Sequence, residues 1–117
     1  MRQPIKWLVV LAACHAGGAL AAPHAESALE CGIAADMAVV ARSLAHEQVQ
    51  PQKANAIMAR IYDVSASERG QRLMQDILAA AYSKPANGAT AQKFAEDLFA
   101  VCMKSGGNMD TILGKRL

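Results

Sequence analysis

From Ser27 to Lys104 the apolar residues recur mostly three or four positions apart, the spacing of helices that each bury one face. Leu29, Ile33, Met37, Val40 and Leu44 draw one such stripe on a helix predicted from about Ser27 to Glu47. Ala34, Ala38, Ala41 and Ala45 lie beside it, and Cys31 falls on the same flank. Small side chains there let a second helix approach closely. Pro51 suits the first turn of a second helix, where its missing N–H is not needed. That helix is expected to turn Ala54, Ile57, Met58 and Ile61 inward and to end near Asp63. Ser65 and Glu68 stand at capping-box spacing before a third helix, whose face carries Leu73, Met74, Ile77, Leu78 and Ala81, with Gly70 on the same side.

Lys84-Pro85-Ala86-Asn87-Gly88 breaks the pattern, because Pro85 turns Lys84 away from helical angles and Asn-Gly favours a turn. A fourth helix is predicted from about Thr90 to Lys104, with Ala91, Phe94, Leu98, Val101 and Cys102 on one face and Gly106 as its left-handed cap. Met109 to Gly114 reads as one loose turn, and Lys115 to Leu117 as a fraying end. No stretch alternates as a strand would, and no internal repeat appears. The expected fold is all-α, a small four-helix bundle with its core at about residues 27–105.

The first residues have a different character. Arg2 and Lys6 precede an unbroken apolar run from Trp7 to Ala13, and Ala19-Leu20-Ala21 supplies small residues at cleavage spacing. These are the parts of a secretory signal peptide, expected over residues 1–21. Residues 22–117 then form a single helical domain, opening on a short leader at 22–27. A competing assignment takes Leu11-Ala12-Ala13-Cys14 as a lipobox, with Cys14 bearing lipid, but it leaves the downstream Ala-x-Ala without a use. His15, Gly17 and Gly18 interrupt the run well short of the ~20 apolar residues a membrane span requires.

Losing the signal changes the charge. The chain has 12 basic and 10 acidic residues, and removal of Arg2 and Lys6 leaves the two signs equal. No basic surplus remains to bind a nucleic-acid backbone. The cysteines change too: without Cys14, Cys31 and Cys102 are left, and an even count in an oxidising compartment reads as a disulfide, joining the first helix to the last.

Ala81-Tyr82-x-x-Pro85 followed by Phe94-Ala95-x-Asp97-x-Phe99-x-x-Cys102 resembles a family of short, uncharacterised exported helical proteins of Proteobacteria and their phages. Cys31, Met37-Ala38 and Arg42 extend the likeness more loosely into the first half. The resemblance implies a signal peptide and one cysteine at each end of the bundle. It implies no activity.

Candidate chemistry is sparse. His24 lies in the leader, and His46 falls on the polar side of the first helix. A disulfide removes both thiols from nucleophilic work, and neither His-Glu-x-x-His nor Cys-x-x-Cys occurs. Neither an enzyme, a metal site nor a cofactor is expected. Tyr82 and Pro85, at the junction of two helices, form with Asp97 of the fourth helix a candidate recognition patch, although packing of Tyr82 on the core with its hydroxyl on a backbone group is the favoured use of that residue. Met37, Met58, Met74, Met103 and Met109 offer an adaptable peptide surface, with packing the better use for those on helix stripes. What remains is a periplasmic protein that binds another protein, as an inhibitor, immunity factor or accessory subunit. The alternative is a holdase-like stress chaperone, which shares the size, helicity and single disulfide.

Overall fold

The structure, a computed structural model, describes residues 24–63 and 67–114. The expected signal peptide, the alternative lipid site at Cys14, and Ser65 all lie outside them. Four long helices appear: α1 (Ala28–His46), α2 (Pro51–Tyr62), α3 (Glu68–Ala81) and α4 (Ala91–Lys104). A 3-10 turn (Lys84–Ala86) links α3 to α4, and a short α5 (Asp110–Leu113) follows. No strand occurs among the described residues. The fold is the all-α bundle expected.

Local chemistry sets the helix ends. Ser27 caps α1, its hydroxyl accepting the Glu30 N–H at 3.2 Å, while the Glu30 carboxylate accepts the Glu26 N–H at 3.0 Å. One of the helix's unpaired donors is thereby satisfied, and the residue before the cap is tied to the first turn. At the other end Gln48 turns left-handed (φ 61°), and Val49 N–H reaches back to the Leu44 carbonyl, closing a Schellman motif. Pro51 opens α2 as expected, and Thr90 caps α4 by accepting the Lys93 N–H. For α3 the cap is Ser67, which accepts the Gly70 N–H at 3.0 Å. The Ser65–Glu68 box is therefore displaced by two residues. Glu68 becomes the first helical residue and serves the helix dipole instead.

α1 is the central element, packed chiefly on α4 and then on α3. Cys31 and Cys102 are disulfide-bonded across the α1–α4 seam, with 5.7 Å between their Cα atoms. Ala34, Ala38 and Ala41 line the buried side of α1 and allow this approach, while Met37, Met58, Ile77 and Leu98 fill the space between helices. Each of those large side chains contributes roughly 1.5–3 kcal/mol by leaving water. Four of the five methionines singled out from sequence are core, and Met103 is half exposed.

Two expectations need correction. The buried face of α1 is centred on its alanines, so Leu29 is 75% exposed and Ile33 also faces outward. Val40 and Leu44 are the members of the expected stripe that do pack on the core beside Met37. Ile61 of α2 likewise lies outside, at 55% exposure. The physical reason is proximity. A seam tight enough for a disulfide admits only small side chains, so the large ones flank it.

The second correction concerns the leader. His24 and Ala25 are fully packed, and with Met109 they extend the core beyond residues 27–105 at both ends. Ala25 N–H donates to the Gly107 carbonyl at 3.1 Å, and His24 Nδ1 accepts the Met109 N–H at 3.2 Å. The Asp110 carboxylate stands 3.6 Å from the same Nδ1.

Candidate functional site

Leu29, Ile33 and Ile61, the large apolar residues turned out of the core, meet in one place. They line a groove of about 700 Å³ between the start of α1, the end of α2 and the start of α3, floored by Met37 and Leu73. Its polar rim is mostly acidic. Arg69 of α3 forms a two-pronged pair with Glu30, at 2.8 and 3.1 Å, and also reaches Glu26 at 3.0 Å. Asp36 accepts the Tyr62 hydroxyl at 2.6 Å. Glu30 and Asp36 thus line the groove with Arg69, and Glu26 joins the same cation from beside it. Burial, and then the Asp36 carboxylate, push the Tyr62 hydroxyl well above the usual phenol range, so it stays a donor.

The hydrogen bonds from Arg69 hold the Glu30 carboxyl below its ordinary value against an opposing effect of burial. A carboxylate whose pKa is depressed by folding stabilises the protein above its unfolded value, near 4.5, and loses that contribution as pH falls through the lower folded value. Glu30→Gln is expected to cost about 0.5–1 kcal/mol at pH 7, since the Arg69 partner is 42% exposed and screened, and to cost less in acid. Urea midpoints of the two proteins at pH 7 and at pH 3 measure it. An unchanged gap between them would exclude an ionic contribution from this pair.

A second recess, of about 440 Å³, opens where α1 ends against the α3–α4 linker. Arg42 lies in its wall, buried, with Nε donating to the Ala89 carbonyl at 3.0 Å and Nη1 to the Ala81 carbonyl at 2.8 Å. His46, Lys84 and Tyr82 complete much of the lining.

The three residues of the sequence patch are divided between recesses. Tyr82 belongs to the Arg42 recess and donates its hydroxyl to the Val49 carbonyl at 2.5 Å, tying the linker to the end of α1. Pro85 and Asp97 share a smaller hollow of about 180 Å³ on the other side of the linker. Asp97 also pairs along α4 with Lys93 at 2.8 Å. Cys31 and Cys102, buried in their disulfide, line none of these three recesses. Among the described residues no group of three or more His, Cys, Asp and Glu side chains could hold a metal ion, and no helix is long and apolar enough to cross a membrane.

The Glu30–Arg69 pair carries no sequence motif, and Arg42 was marked only by the looser likeness in the first half of the chain. Arg42 could have been found as the one cation that continues the alanine flank of α1, directly after Ala41. Comparison with protein-family models, with curated proteins and with solved structures finds no match.

Proposed function

We propose that this protein is a small exported binding module of the inhibitor, immunity or accessory class, which seats an apolar segment of a protein partner in the groove between α1, α2 and α3. The observation that carries this is the gathering of Leu29, Ile33 and Ile61 over a preformed depression, while α1 buries mostly alanine on its opposite flank. Exposed apolar clusters with polar rims mark interaction surfaces. The partner segment is basic as well as apolar, because Glu26, Glu30 and Asp36 outweigh Arg69 and favour Lys or Arg on what docks.

Gly32 supports the same surface. It lies exposed in mid-helix along the groove, and a Cβ there would touch nothing in this chain. Intramolecular packing therefore does not require glycine, which costs a helix about 1 kcal/mol relative to alanine. Close approach by a partner would. Gly32→Ala is expected to raise stability by about that amount while weakening capture. Melting curves and pull-downs of the same variant read both effects, and a variant that is stabilised with capture unchanged removes Gly32 from the interface.

Export is part of the proposal. It rests on the signal-like first residues, the likeness to short exported proteins, and a disulfide compatible with an oxidising compartment. The direct test is a photo-crosslinker at position 29 in tagged protein from the periplasm. The expected product is one stoichiometric conjugate whose crosslinked peptide is apolar and flanked by Lys or Arg. Ile33→Asp should abolish it, and Met103→Asp, away from the groove, should not. A holdase reading draws on Val39, Phe99 and Met103, which are also exposed. It requires many weakly held clients, insensitive to Ile33→Asp and strongly dependent on pH.

A further inference from the structure

Independently of the groove, we infer that the Arg42 recess is a binding site for a carboxylate. A guanidinium this deeply buried is ordinarily matched by an acid. Arg42 is only 6% exposed, yet it forms no ion pair among the described residues, and no Asp or Glu lines its recess. Its partners are two carbonyls. One of them, Ala81, ends α3 and brings the negative pole of that helix, worth about half a charge. Two of the five N–H donors are thus used, and about half of the positive charge is left unmatched.

Lys84 adds a second cation at the mouth, and the His46 ring and the amides of Gln48 and Asn87 are suited to the uncharged remainder of a ligand. Arg42 donates to the Ala89 and Ala81 carbonyls rather than to the nearby hydroxyls, while Tyr82 donates to Val49 and Ser83 to the Ala80 carbonyl at 2.6 Å. Both hydroxyl hydrogen bonds hold the linker in place and keep the recess open. A carboxylate fits better than a phosphate. Its single charge and two coplanar oxygens match one fixed planar cation, whereas a phosphate monoester brings about 1.5–2 charges and Lys84 is exposed.

Two sources present this group, a free dicarboxylic acid and the carboxyl terminus of a peptide. Amide-resolved NMR titrations at low salt with succinate, with a short uncharged peptide and its C-terminal amide, and with inorganic phosphate separate them. The expected result is saturable shifts at residues 42–48 and 82–87 with succinate or the free-acid peptide, none with the amide, and affinity weakened about tenfold in Lys84→Glu. Tighter binding of the peptide assigns a chain terminus, and tighter binding of succinate assigns a small acid. Lys84 is exposed, so its variant keeps the fold even if Arg42→Lys does not. Phosphate shifting these residues while both carboxylates are silent overturns the assignment, as does the absence of saturable shifts with all four probes.

Discussion

Reduction of the Cys31–Cys102 bond is expected to lower the stability of the folded protein by about 4 kcal/mol, the largest effect of any single covalent change in the chain. The bond joins residues 71 positions apart, so breaking it releases nearly the whole described chain in the unfolded state. The folded state loses less, since two buried thiols still pack as small apolar groups. For a domain of this size the melting temperature should fall on the order of 15–30 °C. Thermal melts of the oxidised protein, the reduced protein and Cys31→Ser/Cys102→Ser measure it. Equal melting temperatures would show that packing across the α1–α4 seam suffices without the bond. Both sulfurs are shielded, at 2% and 0% residue exposure, so reduction of the native protein should also be slow and speed up in denaturant.

Gly107→Ala is expected to be the most damaging small substitution, at about 2–4 kcal/mol. Gly107 has φ of +92°, a conformation that L residues rarely adopt. A Cβ there would lie 1.9 Å from the Ala25 carbonyl oxygen and 2.8 Å from its carbon. Those are backbone atoms, so they cannot swing aside as a side chain could. Segment 24–25 must leave, and with it go the Ala25–Gly107 hydrogen bond, the His24–Met109 hydrogen bond and the burial of three residues. Gly106→Ala is the control. Gly106 is also left-handed, at +61°, but a Cβ there meets nothing, so it should cost only about 1–2 kcal/mol. Chemical denaturation of the pair gives the difference. If the two variants cost the same, close contact with Ala25 is not what makes Gly107 necessary.

The helices were legible because their punctuation is local. Ser27, Pro51, Thr90 and Gly106 act through neighbours within a few residues, and the structure places each at the helix end it was assigned. The disulfide was legible by counting cysteines. The inward faces were less so. Size suggested that Leu29, Ile33 and Ile61 belong inside, but the α1–α4 seam selects alanine on α1, and Leu29 and Ile33, turned away from it, build the groove together with Ile61 of α2. His24 was hidden for another reason. Its partner Met109 is 85 positions away, and no periodicity in either segment announces a pairing that only the closed bundle creates. Arg42 entered the sequence reading only through the looser likeness around Cys31 and Met37-Ala38, and its burial was hidden because its two acceptors are backbone carbonyls, which every residue has. Tyr82 behaved as its packing alternative required, with its hydroxyl on a main-chain oxygen.

The chain contains two tyrosines, Tyr62 and Tyr82, and one lies in each of the two larger recesses. Selective isotope labelling of tyrosine therefore yields two sets of ring resonances that report separately on the two surfaces. A molecule entering the α1–α3 groove should move the Tyr62 set, and one entering the pocket beside Arg42 should move the Tyr82 set. A single spectrum can thus tell which surface an unknown binder has chosen, with no label attached from outside.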